Sequence, residues 1–356
     1  DQTAELLKVI TEADGVPGYE GEIRAIMREY MEDIAEIRQD KMGSVIGSHA
    51  GAGDDAPRVM LAGHMDEIGF MVRHITKEGF VKFLPLGGWW DQVLLGHRVL
   101  IRTAKGDVIG VLGAKPPHLL EGEERKKVVE KKDMYIDVGA RSEDEVSAMG
   151  VRPGDPIIPV SEFTVMANPS FYLSKAFDNR LGCALAAQAL RQVAEDGHPN
   201  TVYAVGTVQE EVGLRGAKTS AFVVEPDVAI ILEVDIAGDV PGIKPEESSV
   251  KMGGGPTMLL FDARMIPNLK LRDMVIAAAQ ELEIPLQFSA MSGGATDGGA
   301  IHIHNEGVPT VVIGVPTRHI HSHNAIICRE DYDQALALVV ALVKKLDAET
   351  VAGLTG

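Results

Sequence analysis

The spacing of apolar residues divides the first 68 positions of the chain into helices and strands. Residues 2–12 and 20–34 carry apolar side chains at three- and four-residue intervals, which predicts two helices separated by the break at 15–18. A short strand pair is expected over residues 37–47. The continuous apolar run at 58–64 then predicts a buried strand that ends in a histidine.

The pattern changes between residues 69 and 162, where short β-rich runs are separated by glycine and proline. Helical spacing returns only at 143–149. The predicted strands include 80–84, 98–102 and 108–112. Short strands at such intervals indicate a small β-barrel or a sandwich. We therefore expect residues 69–162 to form an inserted β-rich domain, in which the charged stretch 121–132 is a mobile loop.

Strands and helices alternate again after residue 163. Helices are predicted over 180–195, 269–283 and 331–346, and strands over 201–208, 228–234 and 309–314. This alternation is typical of α/β architecture, in which helices cover a central sheet. Residues 1–68 and 163–356 are accordingly expected to form one α/β domain that the β-rich segment interrupts.

A formal net charge of -18 over 356 residues restricts the partners that the chain can bind. Nucleic acid and anionic membranes repel an acidic surface, so neither is an expected partner. No apolar run reaches the roughly 18–20 residues that a membrane helix needs. The two cysteines, Cys183 and Cys328, form no Cys-x-x-Cys pair, and we expect them to be buried thiols in a cytoplasmic protein.

Residues able to bind metals or move protons cluster at or just after the ends of predicted strands. They are His64, Glu210, Glu211, Glu233 and His321, to which we add Asp178, which lies just before a predicted helix. Taken singly, each also fits a hydrogen-bonded structural role, and Asp178 fits a helix N-cap. Loops after the carboxyl ends of strands in an open α/β sheet meet in one crevice. The positions of these residues, taken together, therefore predict a site at the carboxyl ends of the sheet strands.

The chemistry of this set favours two metal ions. Adjacent side chains on an extended chain point to opposite sides, so one of Glu210 and Glu211 is free to bind metal while the other moves a proton. Two imidazoles with several carboxylates suit zinc, cobalt or manganese. The set contains more ligands than one tetrahedral zinc ion binds. It fits two metals about 3.5–4 Å apart that share a carboxylate. Asp66 is expected to hold the second imidazole nitrogen of His64.

Longer motifs around these positions resemble a known family. They are His64-Met-Asp66, Asp178-Asn179, Glu210-Glu211-Val-Gly-Leu-Arg-Gly216, Glu233, Gly293-Gly-Ala-Thr-Asp-Gly-Gly-Ala-Ile301 and Ile320-His-Ser322. In this order they resemble the tetrahedral (TET) dinuclear-metal aminopeptidases, which include glutamyl and deblocking aminopeptidases. The resemblance covers nearly the whole chain. It implies a three-layer, mixed-sheet catalytic domain, an inserted β-barrel-like domain that mediates dimerisation, and dimers that assemble into a hollow dodecamer.

The resemblance also assigns the metal ligands. It implies that Asp178 bridges two divalent ions, with zinc or cobalt as first choices and manganese as the third. His64 and Glu233 then complete one site, and Glu211 and His321 complete the other. The family further implies a cis peptide bond after Asp178.

Alternatives stay open at two of these positions. The family often has Asp where this chain has Glu233, so Asp235 on the same strand face is the second choice of ligand. Three histidines alternate near the carboxyl end of the chain, and the family pattern selects His321. His319 and His323 are interpreted as loop residues.

The activity implied by the resemblance is removal of N-terminal residues from short peptides. Glu210 acts as general base on a water that the metals activate, Asp66 supports His64, and Asp297 binds near the free amino terminus of the substrate. A related two-metal amidohydrolase, such as a deacylase or carboxypeptidase, is the alternative, as is a non-catalytic peptide-binding scaffold. A glycosidase needs two facing carboxyls about 5–9.5 Å apart, which the adjacent acids do not offer.

Overall fold

The computed structural model describes residues 1–51, 53 and 55–355 of the chain. Its helices are α1 Gln2–Glu12, α2 Gly21–Met31, α3 Glu143–Ala148, α4 Phe177–Asp196, α5 Arg215–Val224, α6 Leu269–Glu281, α7 Gly298–Ile301, α8 Arg329–Lys345 and α9 Ala348–Gly353. The helices expected from apolar spacing are α1, α2, α3, α4, α6 and α8. Except in the six-residue α3, the periodic apolar stripes are long enough to specify these helices.

The strands of the described residues belong to two separate β-structures. They are β1 Glu36–Gln39, β2 Val45–His49, β3 Arg58–His64, β4 Gly69–Ile75, β5 Phe80–Leu86, β6 Arg98–Thr103, β7 Gly106–Gly113, β8 Tyr135–Asp137, β9 Pro156–Pro159, β10 Thr164–Val165, β11 Phe171–Ser174, β12 Thr201–Thr207, β13 Val228–Ile236, β14 Thr257–Phe261, β15 Gln287–Ala290, β16 Thr310–Arg318 and β17 Ala325–Cys328. The large sheet runs β1-β2-β12-β3-β13-β16-β17-β11-β10, with β14 against β16 and β15 against β14.

Four parallel strands form the centre of the large sheet. β12, β3, β13 and β16 pair in parallel, whereas β2, β14 and β17 add to them in antiparallel orientation. The central strands are buried over nearly their whole length, because helices cover both faces. The expectation of a mixed sheet in an α/β domain is therefore confirmed.

Alternate residues of β13 enter two different cores. Val228, Ile230 and Leu232 pack with α1, α2, α4, α6 and α8, whereas Ala229 and Ile231 face the core under α5 and α7. This alternation follows from the two-residue period of a strand. The result is a helix–sheet–helix arrangement of three layers, as expected.

The β-rich segment is a closed barrel and not a sandwich. Its strands follow the order β4-β5-β8-β7-β6-β9 and lie between Gly69 and Pro159. Side chains such as Phe70, Trp89 and Ile136 fill its interior and form a core of their own. Closure removes the unpaired strand edges that a small open sheet would present.

The structure also contains elements that the sequence pattern did not predict. These are β10, β11, β14, β15, β17, α5, α7 and α9. Most are short, and β14 and β15 include exposed residues, so their apolar periodicity is weak. The strand predicted through Val208 ends at Thr207. The chain turns there because Gln209 has a positive φ of 55°.

A buried arginine ties the N-terminal helices to the sheet. Arg180 of α4 is fully buried and donates hydrogen bonds to the carbonyls of Ile10 (3.2 Å), Gly15 (3.1 Å) and Met65 (3.1 Å). Its guanidinium also pairs with Glu67 at 2.9 Å. A buried charge is tolerated only when such partners replace water. Arg180 therefore fixes the strand end after β3 against the first helical layer.

Two further properties concern the described residues as a whole. None of their helices combines the length and the apolar character required to cross a bilayer. Cys183 and Cys328 are buried free thiols, as predicted.

We expect Arg180→Met to lower the free energy of unfolding by about 3–5 kcal/mol, because Glu67 and several carbonyls lose a buried donor. Unfolding in urea measures the change. Arg191→Met is the matched control: Arg191 pairs with an exposed Asp33 at 2.6 Å, so its loss should cost less than about 1 kcal/mol. A similar small effect for both variants would contradict the anchoring role.

Candidate metal and catalytic centre

The parallel strands bring the candidate residues to one edge of the sheet. His64 is the last residue of β3, and Thr207, the last residue of β12, lies beside it in register. The turn after β12 carries Glu210 and Glu211, and Glu233 lies on the neighbouring β13. Because all three strands run in the same direction, their carboxyl ends open into the same crevice.

Asp178 lies between two imidazoles. Its Oδ1 is 3.2 Å from Nε2 of His64, and its Oδ2 is 3.4 Å from Nε2 of His321. The first turn of α4 departs from helical geometry at Asp178 and Asn179, which swings the carboxylate into the crevice. The bond between these two residues is cis, as the resemblance implied.

Both imidazoles are oriented by backbone carbonyls. Nδ1 of His64 donates to the carbonyl of Asp66 at 2.9 Å, and Nδ1 of His321 donates to the carbonyl of Gly88 at 2.6 Å. Each ring thereby directs Nε2 toward Asp178. An imidazole whose Nδ1–H is held in this way presents Nε2 as a ligand for a metal ion.

Three groups of side chains have ligand atoms within 4.8 Å of one another. They are His64–Asp178–Glu233, Asp178–Glu211–His321 and His64–Glu210–Glu211. The first two share Asp178, as expected for a bridging carboxylate. Their nitrogen and oxygen donors fit zinc, cobalt or manganese. The donor set of this chain is thus compatible with two divalent ions.

The structure separates the alternatives that the sequence left open for the ligands. Asp235 belongs to none of the three groups, and its carboxylate instead accepts hydrogen bonds from Ser289 and from the amide of Ile236. His319 is exposed. His323 is buried and stacks on His97 at 4.0 Å, and burial together with His97 lowers its pKa to about 3. Glu233 and His321 are the residues that reach Asp178.

Glu210 and Glu211 do not lie on an extended strand, contrary to the expectation from their adjacency. Gln209, with its positive φ, ends the strand geometry before them. The carboxylate of Asp66 accepts hydrogen bonds from the amides of Glu210 (2.9 Å) and Glu211 (3.1 Å). Both acids can therefore approach His64 together.

Asp66 contacts His64 through a different group from the one expected. Its Oδ1 is 3.7 Å from Nδ1 of His64, too far for a hydrogen bond, and its backbone carbonyl orients the ring instead. The carboxylate fixes the turn that carries the two glutamates. The sequence showed the spacing of His64 and Asp66 but not that the backbone carbonyl of Asp66 is the group that lies within hydrogen-bond distance of the ring.

Two further acids, Glu20 and Glu67, support the centre, and the sequence motifs did not indicate either of them. Glu20 accepts hydrogen bonds from the amides of Gly18 (2.8 Å) and Gln209 (3.1 Å), and burial raises its pKa to about 7. Glu67 is buried and contacts Lys175 Nζ at 2.5 Å as well as Arg180. Lys175 and Arg180 flank the segment that bears Asp178, so Glu67 holds both ends of that segment. In the sequence, the position of Glu67 directly after Asp66 is the one feature that indicates a role for Glu67 at the centre.

The acids of the centre share a strongly anionic environment. Burial raises the pKa of Glu210 and of Glu233 well above the ordinary range, and burial with Asp178 raises that of Glu211 to about 7. Burial opposes the ionised form of Asp178, but hydrogen bonds from His321 and His64 outweigh it and lower its pKa. The cluster retains protons unless cations compensate its charge.

Asp297 lies behind the centre. Only 1% of it is exposed, and Thr207 Oγ1 donates a hydrogen bond to its Oδ2. Burial raises its pKa to about 6. The neighbouring Thr296 lines the crevice, whereas Asp297 is absent from the lining. Its proposed contact with substrate therefore stays a prediction that this geometry does not favour.

The crevice continues outward as a cavity of about 800 Å³. Asp178, Glu210, Glu211, Glu233 and the two imidazoles line part of it. The lining also includes apolar side chains, among them Leu214 and Met291. A cavity of this size accommodates a short peptide segment next to the acids.

Comparison with known proteins gives a match over most of the chain. The model of the family described as M42 glutamyl aminopeptidase matches residues 43–338, and a model described as AMPT matches residues 1–27. FrvX of Escherichia coli K12, named as a candidate aminopeptidase, is 43% identical over 98% of this chain and 96% of its own length. Glutamyl aminopeptidase of Lactococcus lactis is 35% identical (97% and 97%), and lysyl aminopeptidase of Pyrococcus furiosus is 36% identical (96% and 97%).

Solved structures agree with this result. The TET aminopeptidase from the marine sediment archaeon Thaumarchaeota archaeon SCGC AB-539-E09 superposes with a TM-score of 0.97 and 53% identity, covering 100% of this chain and 99% of that one. The TET1 peptidase of Pyrococcus horikoshii, described as assembling into a tetrahedron or a large octahedral shell, has a TM-score of 0.86 and 32% identity, covering 97% and 100%.

We expect metal binding to release protons near pH 7. Burial disfavours the charged form of His321, but Asp178 and Glu211 outweigh it and raise its pKa to about 10, so the ring carries a proton that a cation must displace. From this group alone, the apparent affinity for Zn²⁺ should rise about tenfold per pH unit between pH 6 and 8. Isothermal titration in two buffers of different ionisation enthalpy counts the protons.

His321→Gln should release fewer protons than the unmodified chain. The exposed neighbour His319, changed to Gln, is the control and should leave the proton count unaltered. Zinc binding with no proton release, or with an affinity independent of pH, would exclude His321 as a ligand.

Proposed function

The chain belongs to the M42 glutamyl aminopeptidase family, and from that premise we propose that it uses two divalent metal ions and Glu210 to remove N-terminal residues from short peptides. Family membership makes it a metallopeptidase of the aminopeptidase class. The observation that carries the finer proposal is the pair of ligand groups that share Asp178. A bridging carboxylate between two three-residue groups is the arrangement that two-metal hydrolases use.

In this proposal, His64, Asp178 and Glu233 hold one ion, and Asp178, Glu211 and His321 hold the other. Zinc or cobalt is the preferred occupant. When bound, the ions acidify a water molecule and polarise the scissile carbonyl. Their positive charge also offsets the buried carboxylates, which the apoprotein can only neutralise with protons.

Glu210 is the proposed general base. It lines the cavity and is 9% exposed, and its Oε2 lies 3.8 Å from Nε2 of His64. Asp66 fixes its backbone at the turn. Burial raises its pKa well above that of a surface glutamate, which makes its carboxylate a stronger base.

The reaction requires two proton movements at this carboxylate. Glu210 accepts a proton from the attacking water as oxygen bonds to the scissile carbonyl carbon. It then donates that proton to the amide nitrogen, so that the carbon–nitrogen bond breaks and the leaving peptide departs with a neutral amine. Glu210 returns to its ionised form at the end of the cycle.

A deacylase or carboxypeptidase of the same two-metal chemistry is the alternative activity. The relatives named as aminopeptidases favour the proposed one. A panel that compares free with blocked amino termini separates these activities. A non-catalytic scaffold is disfavoured because each proposed ligand and the base are present.

Glu210→Gln should lower kcat by about 10²- to 10⁴-fold while metal content stays unchanged, because the amide retains the shape but cannot accept the proton. Release of p-nitroaniline from aminoacyl substrates and metal analysis of the same sample measure both properties. Glu246→Gln, at an exposed position, is the control. Near-normal turnover in Glu210→Gln would disprove the assignment of the base.

The proposal extends to assembly. By analogy with the TET1 neighbours, one of which is described as a dodecamer, we infer a large homo-oligomer, a dodecamer built from dimers, with residues 69–162 as the dimerisation domain. We also propose a cytoplasmic location. The outer surface of the barrel supports an interface, since Leu84, Ile109 and Val111 are 44%, 53% and 42% exposed. Ile109 and Val111 are alternate residues of β7 and so point to the same side of that strand. Exposed apolar side chains of this kind are typical of contact surfaces.

We expect light scattering to report a mass of several subunits for the unmodified chain. Ile109→Glu combined with Val111→Glu should reduce that mass, because burying two carboxylates at an interface is unfavourable. Arg73→Glu, at an exposed position of β4, is the control and should preserve the assembly. A stable and fully active monomer would contradict the proposed assembly.

A further inference from the structure

A second cavity, of about 560 Å³, adjoins the one that contains the acids. Its lining comes from the segment that joins β5 to β6 and from the loop that joins β16 to β17. Gly88, Ile320 and His321 line both cavities. Because Nε2 of His321 lies 3.4 Å from Asp178, the second cavity borders the proposed metal centre. A bound peptide can therefore extend from one cavity into the other past His321.

Contacts between the two segments hold the walls of the second cavity in place. Nδ1 of His321 donates to the carbonyl of Gly88 at 2.6 Å. The buried ring of His323 stacks on His97 at 4.0 Å and packs against Trp89 at 5.2 Å. The barrel segment and the loop after β16 thus form one wall system before any substrate binds, as is usual for ligand sites.

Trp90 is the most exposed apolar side chain of this lining. It is 61% exposed, whereas Trp89 is 6% exposed and donates its indole N–H to the carbonyl of Gly69 at 3.0 Å. Lys131 fixes the backbone on both sides of Trp90: its Nζ donates to the carbonyl of Trp89 at 2.8 Å, and its amide donates to Oδ2 of Asp91 at 3.1 Å. An exposed indole on a fixed segment can contact an apolar or aromatic side chain at a small cost in conformational entropy.

The two cavities differ in charge. The acids that line the first are Asp178, Glu210, Glu211, Glu233 and Asp235. Among the described residues that line the second there is no acid, and its polar side chains include the imidazoles of His97 and His323. A short peptide has an ammonium group at one end and a carboxylate at the other. The carboxylate meets no like charge in the second cavity, so charge favours the carboxyl end of the peptide there and the amino end among the acids.

We propose that the second cavity binds the part of the substrate that follows the scissile bond, with Trp90 in contact with the side chain of the second residue of the peptide. The inference rests on the proposed aminopeptidase function and adds to it the position of the leaving peptide. It predicts a preference for a large apolar or aromatic second residue. The contact forms before the reaction and persists through it, so its loss raises KM more than it lowers kcat.

The test compares three substrates on the metal-loaded protein: the amide of an amino acid X, the dipeptide X-Gly and the dipeptide X-Phe. X is the residue released fastest from a panel of aminoacyl amides, whose leaving group, ammonia, is too small to reach Trp90. The unmodified chain should prefer X-Phe to X-Gly. Trp90→Ala should lower kcat/KM for X-Phe about tenfold, chiefly through KM, and change kcat/KM for the amide by less than about threefold. Trp90→Phe should retain part of the preference.

The matched control for Trp90 is another exposed aromatic residue. Phe222 of α5 is 72% exposed and lines neither cavity. Phe222→Ala should therefore leave the ratio of X-Phe to the amide unaltered.

A second variant tests where the carboxylate of the substrate lies. Asn324 lines the second cavity, and its Oδ1 accepts a hydrogen bond from Ser161 at 2.8 Å, which a carboxylate also accepts. Asn324→Asp should raise KM for X-Phe by about threefold or more through charge repulsion, and KM for the X-Phe amide by less. Asn305→Asp, at an exposed position outside both cavities, is the control. Equal effects of Asn324→Asp on the two substrates would overturn the placement of the carboxyl end.

The remaining outcomes separate this inference from the proposed function. No preference of the unmodified chain for X-Phe over X-Gly, or an unchanged ratio of X-Phe to the amide in Trp90→Ala, would overturn the role of Trp90 while the peptidase activity stands. Light scattering on Trp90→Ala tests the other occupant of this face: a loss of assembly mass would assign Trp90 to a contact with a second copy of the chain and would also overturn it. No hydrolysis of any aminoacyl amide or peptide by the unmodified, metal-loaded protein would refute the proposed function itself.

Discussion

The contact of one carboxylate with two imidazoles organises the centre of this protein. Asp178 faces His64 through one oxygen at 3.2 Å and His321 through the other at 3.4 Å. The two histidines come from opposite ends of the chain, one after β3 and one after β16. Asp178 can join them only because the start of α4 leaves helical geometry, and Asn179 stabilises that departure through a hydrogen bond from its Nδ2 to the carbonyl of Leu232 at 2.8 Å.

The arrangement concentrates buried negative charge, and the surrounding structure is built to tolerate it. Asp66 and Glu20 direct their carboxylates at backbone amides of the turn before Glu211, which replaces water as hydrogen-bond donor. Behind Asp178, Lys175 and Arg180 supply two positive charges around Glu67. In the proposed function, divalent cations would supply the positive charge that this cluster of acids lacks.

The barrel takes part in this centre as well as in the proposed assembly. Gly88, in the segment between β5 and β6, provides the carbonyl that orients His321. His97, from the same segment, stacks on His323, which lies two residues after His321. The loop that carries His321, a proposed metal ligand, is thus held from the barrel side.

The sequence by itself determined the alternation of elements, the β-rich insertion and the set of reactive residues at strand ends. These follow from local physics: the two- and 3.6-residue periods of apolar side chains, and the chemistry of imidazole and carboxylate ligands. The motifs around these residues also resemble those of the family.

Only the tertiary structure distinguishes a barrel from a sandwich and places Glu233, rather than Asp235, close to Asp178 and His64. It also shows that the carbonyl of Asp66, and not its carboxylate, is the hydrogen-bond partner of His64. Each of these depends on backbone turns and on contacts between residues that are distant in sequence, such as the positive φ of Gln209 and the packing of Ser289 on Asp235. Apolar periodicity contains no information about such contacts, because they arise only when separate elements are packed together.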